Sequence, residues 1–224
     1  MKIGILSDAH GNPHGLTRCL TALTQEGAEK VYFLGDAIGY LPDWEEVLRI
    51  LSTNNIVCIR GNHETMVIDS RPIPRERDAL YQLSSLREAG VPPAIQQWPL
   101  SWRTTPGLFF THSLGWKPPP PHIVWAFEGH THHPSIRKVF PWSIANTRSV
   151  SRVNVGSCGL PRDQGDLAAC ALLDLSKGQC EILRVPLDLD FILHRYGDSI
   201  HPDVRAVFTR QTADPVGRIV KVEP

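Results

Sequence analysis

Five short clusters carry the side chains that could do chemistry together in this chain: Asp8-Ala9-His10, Gly35-Asp36, Gly61-Asn62-His63-Glu64, His112, and Gly129-His130-Thr131-His132. Asp8, His10, Asp36, His112, His130, His132 and the Asn62 amide oxygen form a nitrogen and oxygen donor set without sulfur. Such a set suits Mn²⁺, Fe or Zn²⁺ better than the oxygen-seeking Ca²⁺ or Mg²⁺. Seven donors exceed the demand of one ion. With one carboxylate bridging they divide into two near-equal sets, as in two-metal hydrolytic sites with ions about 3.5–4 Å apart. Gly129 before His130 and Gly11 after His10 permit tight bends, and Gly35 and Gly61 allow backbone to approach the ions closely.

Donors this far apart in sequence meet only if the fold brings their segments to one edge. Lys2 to Ser7, Val31 to Leu34 and Ile56 to Ile59 are short apolar runs of strand length. Between them Leu16, Leu20 and Leu23 recur at near-helical spacing up to Gly27, and Asp43 to Leu51 has an acidic first turn followed by apolar residues at helical spacing. A β-α-β-α-β order implies a parallel sheet with right-handed crossovers. In open α/β sheets the site lies beyond the carboxyl ends of the strands, and each of these runs ends in a candidate: Asp8 and His10, Asp36, Asn62 and His63.

Farther on, Pro72, Pro74, Pro92, Pro93 and Pro99 surround a helical stretch near Arg75 to Ala89, so residues 65 to 105 read as a helical excursion over the site. From Leu108 the pattern becomes that of an antiparallel or mixed sheet, with runs at Leu108 to Thr111, Val124 to Phe127, Ile136 to Phe140, Trp142 to Ala145, Ser151 to Val155, Ala168 to Asp174 and Gln179 to Pro186. Pro118 to Pro121 should hold one loop extended. From Asp188 the signals are mixed, with a helical tendency near Asp203 to Gln211.

The bulk properties set outer bounds. A chain of 224 residues with 42% hydrophobic composition can bury roughly 70–75% of its unfolded surface, and one domain over residues 1–224 is the expectation. Lys plus Arg total 23 and Asp plus Glu total 23, so no global field draws the chain to nucleic acid or an anionic membrane. The five cysteines are scattered and include no C-x-x-C pair, which argues against a disulfide framework and a thiolate metal site. No segment reaches the ~18 apolar residues of a membrane span, and the amino terminus lacks the features of a secretory signal. A cytoplasmic setting is the expectation.

The five clusters, in their order D-x-H, G-D, G-N-H-E, lone His and G-H-x-H, resemble the calcineurin-like metallophosphoesterase superfamily, and in particular its small prokaryotic phosphoesterases. Asn154-Val155-Gly156-Ser157 and Gly159-Leu160-Pro161-Arg162 resemble the segment that follows the last metal motif there. The resemblance implies an α/β fold, an α+β sandwich of two mixed β-sheets packed face to face and flanked by helices, with the dinuclear site at the carboxyl ends of the strands. It implies that Asp8, His10, Asp36 and His132 hold one metal, and that Asp36, Asn62, His112 and His130 hold the other. It further implies attack on phosphorus by a metal-bridging hydroxide, with His63 protonating or stabilising the leaving oxygen of a small phosphomonoester or phosphodiester. Protein serine/threonine phosphatases of this superfamily extend G-D into G-D-x-x-D-R-G, whereas this chain has Gly39, Tyr40 and Leu41 at those positions. That departure favours diesters or small esters over phosphoproteins and leaves Arg60, Arg152 and Arg162 as alternative phosphate-facing cations.

Blander readings compete. His14, His122, His133, His194 and His201 read as ordinary surface or packing histidines, with His133 near enough in sequence to touch substrate. Asn62 could be a turn residue and Asp36 a helix cap. Tyr40, Trp44, Trp116 and Trp125 read as packing aromatics, and without basic clusters around them no nucleic-acid partner is implied. The competing function class is a non-catalytic scaffold on the same fold. Degeneration of that kind would show as missing donors, and the seven donors and His63 are all present.

Overall fold

From the first strand, β1 (Lys2–Leu6), Ile3 and Ile5 point to one side and Gly4 and Leu6 to the other, the period-two consequence of an extended backbone. Both faces are buried. Ile3 and Ile5 pack with Tyr32, Phe110, Phe127 and Val153 in a layer between two sheets, while Leu6 packs with Leu16, Leu23 and Phe33 beneath helices. The missing Cβ of Gly4 admits Leu23, whose Cδ1 would lie 2.8 Å from it.

The computed structural model describes residues 1–70, 77, 81–105, 107–115, 119–139 and 149–222. After β1 come α1 (Pro13–Gln25), β2 (Lys30–Phe33), α2 (Trp44–Thr53), β3 (Val57–Cys58) and α3 (Asn62–Ile68). The strands β1, β2 and β3 pair in parallel, as the alternating pattern predicts. Asn12 starts α1 by accepting the Gly15 N–H on its side chain, with Pro13 in the first turn. Then follow α4 (Leu83–Ala89), α5 (Pro93–Gln96), β4 (Ser101–Thr104), β5 (Leu108–Thr111), β6 (Trp125–Glu128), β7 (Ser135–Val139), β8 (Val150–Asn154), β9 (Leu167–Asp174), β10 (Gln179–Pro186), α6 (Leu189–Tyr196), a single 3₁₀ turn (Gly197–Ser199), α7 (Pro202–Val207) and β11 (Arg218–Ile219).

One sheet runs β11-β10-β9-β1-β2-β3 and the other β4-β5-β6-β8-β7. Both are mixed: β9 is antiparallel to β1 and to β10, and β5, β6 and β8 are parallel between antiparallel edges. The sheets stack through Tyr32 and Phe110, whose rings lie 4.2 Å apart. The architecture is thus the α/β sandwich of two mixed sheets with flanking helices.

Three details depart from the sequence pattern. Ser101–Thr104 ends the helical excursion early, because it pairs along β5 from Ser101↔Thr111 to Thr104↔Leu108. The runs β9 and β10 join the first sheet rather than the second. The segment from Asp188 contains a full helix, α6, capped by the Asp188 side chain on the Phe191 N–H at 2.9 Å. Trp142 to Ala145, Trp116, Pro118 and most of the stretch from Arg75 to Leu80 lie outside the described residues. Among the described residues no helix is long and apolar enough to cross a membrane.

Candidate metal centre

The ends of β1, β2, β5 and β6, with the first turn of α3, converge on one edge. The backbone reverses sharply there: Asp8, His10, Asp36, His130 and His132 all have φ between 48° and 71°, the left-handed region that non-glycine residues rarely adopt. Cross-strand bonds hold these turns, with Asp8 N donating to Gly35 O, His10 N to Asp36 O and Gly129 N to His112 O at 3.0 Å each. Gly61 is required by close approach, since a Cβ there would stand 2.1 Å from Asp36 Oδ1. Gly35 serves close packing too, since a Cβ there would stand 2.4 Å from the Gly61 nitrogen.

The structure brings the side chains into three overlapping groups able to hold a cation: Asp8, His10 and His132; His10, Asp36 and His63; and Asp36, His112 and His130. Asn62 joins the last group, its Oδ1 lying 2.9 Å from His112 Nε2 and 2.8 Å from His130 Nδ1. All seven sequence-nominated donors therefore meet, and Asp36 is common to two groups. Asp8, His10, Asp36, His63, His112 and His132 are buried, while His130 is exposed and Asn62 half-buried.

Three imidazoles are oriented from behind. His10 Nδ1 donates to Ile38 O at 3.1 Å, His112 Nδ1 to Leu34 O at 2.8 Å and His132 Nδ1 to Leu160 O at 2.6 Å. These partners fix the tautomers and turn each Nε2 inward. His10 Nε2 and His132 Nε2 then lie 3.0 Å apart, with Asp8 Oδ1 3.3 Å from the latter and 3.6 Å from the former. Asp8 Oδ1 accepts no hydrogen bond among the described residues. Two lone pairs and a buried carboxylate oxygen facing one another repel unless a cation lies among them, so the donor set fits a metal ion.

The electrostatics point the same way. Burial pushes His132 down to about 4 and His63 down to about 3, keeping both neutral as ligands or hydrogen-bonding groups must be. Burial alone would raise the Asp8 carboxyl, but His132 and His10 hold it well below the usual carboxylate range; Asp36 is held down against the same burial chiefly by His112 and His63. Against its own burial, His112 is raised to about 10 by Asp36, 3.3 Å away, so without metal it carries the positive charge of the cluster.

Several groups that hold this centre are not evident from the sequence. Glu64, fully buried, accepts N–H bonds from Asp36 (2.9 Å), Ala37 (2.8 Å), Ile38 (3.4 Å) and Gly61 (2.8 Å), clamping two ligand loops together. Burial and the Asp36 charge push its carboxyl up to about 7. Ser157 Oγ donates to Asp8 O at 2.7 Å, and Asn154 Nδ2 donates to Gly129 O at 2.6 Å, so the stretch after β8 braces two ligand turns. Tyr40, packed into the core, also sets its ring 4.6 Å from His10 and 5.1 Å from His63, and Tyr81 lies 4.8 Å from His63 and 5.2 Å from Tyr40. His63 Nε2 is 4.0 Å from Asp36 Oδ2, and its Nδ1 is buried without a partner among the described residues.

Among the described residues the remaining histidines join none of the cation-competent groups. His14 stacks near Phe191 at 5.1 Å and accepts from Asp188 N, and His201 accepts from Asp203 N at the start of α7. His133 lines a separate groove beside His130. A second groove of about 550 Å³ runs from Asn62 and His112 over Met66, Leu100, Phe109 and Leu114.

A family model described as calcineurin-like phosphoesterase matches residues 1–134, more than half the chain and every donor named above. The chain belongs to that family. It is 22% identical to the uncharacterized protein MJ0912 of Methanocaldococcus jannaschii, over 84% of this chain and 88% of that one. Among solved structures it is similar to a metallophosphoesterase from Sphaerobacter thermophilus, with a TM-score of 0.69 and 18% identity over 93% of this chain and 98% of that one. It is also similar to the hypothetical protein PH1004 from Pyrococcus horikoshii, with a TM-score of 0.70 and 20% identity over 92% and 97%. At these identities the structural likenesses establish the shared fold.

Proposed function

We propose that this chain is a metal-dependent phosphoesterase that hydrolyses small phosphate esters at a centre of two divalent transition-metal ions, with Mn²⁺, Fe or Zn²⁺ as candidates. The observation that carries the reading is the set of three cation-competent groups linked through His10 and Asp36, with the inward-facing Nε2 atoms of His10 and His132 at 3.0 Å beside an Asp8 Oδ1 that has no hydrogen-bond partner among the described residues. In the division that the family resemblance implies, Asp8, His10, Asp36 and His132 would hold one ion and Asp36, Asn62, His112 and His130 the other. When bound, such ions supply an activated water near neutral pH and offset charge that develops on the phosphoryl oxygens.

The chain's own residues do the rest. The carbonyls behind His10, His112 and His132 preorganise the donors. His63 presents its imidazole beside Asp36, where it can donate a hydrogen bond to the leaving oxygen, and the rings of Tyr40 and Tyr81 shield it from water. The groove beyond Asn62 and His112 offers a mostly apolar bed for the organic part of an ester.

The structure weighs against a protein serine/threonine phosphatase reading at one point. A Cβ at Gly39 would stand 2.2 Å from His63 Nδ1, so this backbone has no room for a carboxylate-bearing residue there. The five free cysteines and the balanced charge support a cytoplasmic setting without a nucleic-acid or membrane partner.

The test is to load purified protein with Mn²⁺, Zn²⁺ or Fe²⁺ and count bound ions by mass spectrometry. Hydrolysis of p-nitrophenyl phosphate and bis-p-nitrophenyl phosphate is then measured. Two ions per chain and metal-dependent turnover of at least one ester are expected. A fully loaded protein inert toward both would move the assignment to a non-catalytic scaffold.

A further inference from the structure

We propose that Arg162, held in place by the Tyr40 hydroxyl, grips the non-bridging phosphoryl oxygens of the substrate, an inference that rests on the phosphoesterase reading above. The sequence offers Arg60, Arg152 and Arg162 near the site, and the structure separates them by what each already binds. Arg152 is paired with Glu128 through two bonds, at 2.6 Å and 2.9 Å, and its remaining reach goes to Gly115 O. Its charge is thereby neutralised. Arg60 turns to Gln96 O at 2.8 Å, on the groove side of Asn62.

Arg162 differs from both. Its backbone N–H reaches His132 O at 3.4 Å, so its position is tied to a metal-facing residue. Its Nη2 donates to Tyr40 Oη at 2.9 Å, and its guanidinium carbon lies 6.0 Å from the Tyr40 ring centre. That ring is the wall against which His10 and His63 pack, at 4.6 Å and 5.1 Å. Among the described residues no carboxylate pairs with Arg162. The neighbouring Asp163 is occupied by the fully buried Arg184, at 2.9 Å and 3.1 Å, which anchors the loop and takes away the nearest acid.

A half-buried guanidinium carries five N–H donors, and among the described residues this one commits a single donor, to a neutral phenol. A phenol is neutral near pH 7, so Tyr40 can steer the arginine through its hydroxyl without cancelling its charge. A planar fork with free donors, fixed at the rim of a cation-binding cluster, matches two oxygens of a phosphoryl group. Tyr40 acts through Arg162 and is a positioning residue.

The experiment uses the full-length, metal-loaded protein with inorganic phosphate as the probe, titrated calorimetrically and as a competitive inhibitor, alongside KM, kcat and bound-metal counts. Arg162→Ala should keep both ions and weaken phosphate binding by about 10- to 100-fold, the loss of charge-assisted hydrogen bonds. Arg162→Lys should recover part of that loss, because it restores charge without the fork. Tyr40→Phe should weaken phosphate binding several-fold with metal content unchanged. Unchanged phosphate affinity and KM in fully loaded Arg162→Ala would overturn the assignment. So would a loss that tracks missing metal and disappears when metal is added in excess, since Arg162 would then act only through His132. If the wild type binds phosphate yet hydrolyses no ester, the phosphoesterase reading fails while the titration still decides the arginine's role.

Discussion

Replacing Glu64 by glutamine tests whether one buried carboxylate holds the loops of this centre. Oε2 accepts from the backbone N–H groups of Asp36 and Gly61, and Oε1 from those of Ala37 and Ile38. Glutamine keeps the shape and one oxygen, but its amide nitrogen only donates, so two backbone N–H groups are left facing an NH₂. Glu64 is 0% exposed, and water cannot substitute without opening the site. An orphaned buried donor costs about 1–3 kcal/mol, so two cost roughly 4 kcal/mol. In a chain of this size each kcal/mol moves the melting temperature by about 2–4 °C, which puts the expected drop near 10 °C. Because one orphaned group belongs to the backbone of Asp36 or its neighbours, metal affinity should fall as well. The assay is thermal unfolding of chelator-treated protein at pH 8, where the wild-type carboxyl is ionised, followed by metal counting on the folded variant. A drop below about 3 °C with both ions retained would show that Glu64 is not the clamp.

Three further outcomes follow from the same geometry. Asp36→Ala removes the carboxylate common to both ligand groups, so bound metal should fall from two ions toward none, read by mass spectrometry, whereas His130→Ala should empty one site only. His63→Ala should retain both ions and lower kcat by about 10²–10⁴-fold, the range for losing a positioned proton donor; loss of metal in step with activity would instead make His63 a ligand, as its grouping with His10 and Asp36 would allow. His112 is protonated at neutral pH in the metal-free cluster, being raised to about 10, so metal uptake at pH 7–8 must release about one proton and affinity should rise close to tenfold per pH unit in that range. Calorimetric titration in two buffers of different ionisation enthalpy measures that proton directly, and a pH-independent affinity would contradict it.

The donors were legible because each is a side chain whose type announces its chemistry and each follows a strand. What supports them was not, for physical reasons. The partners of His10, His112 and His132 are the carbonyls of Ile38, Leu34 and Leu160, and a carbonyl is present whatever the residue. Glu64 follows His63 and invites pairing with it, but successive residues of α3 point about 100° apart, and the two side chains go to different partners. Tyr40 has the composition of a packing aromatic. Its place in the site comes from a left-handed backbone at φ 65°, which residue type does not foretell. The strands β9 and β10 read correctly as strands, yet β9 is buried along nearly its whole length, so no polar face marked which sheet it joins. The strand β4 was obscured by its prolines upstream and by the exposure of three of its four residues, which removes the alternation that identifies strands.

The left-handed backbone explains why a cluster assembled from such distant segments can be rigid. Two residues apart in an extended strand, Cα atoms are separated by roughly 6.6 Å, and their side chains run parallel rather than converging. Turning the chain at Asp8 and His10 brings Asp8 Oδ1 to 3.6 Å from His10 Nε2, with Asp36 Oδ2 3.8 Å from that same nitrogen. Each such residue costs about 1 kcal/mol or more, so five of them hold strain comparable with the lower end of a whole domain's stability. Strain of that size persists only where the surroundings over-determine it. The Glu64 clamp, the Ser157 bond to Asp8 O and the Asn154 bond to Gly129 O are those surroundings, and each spans two segments far apart in sequence. The bracing residues therefore bear on the candidate site as directly as the donors do: the donor types would set which cation it accepts, and the braces hold those donors facing one another.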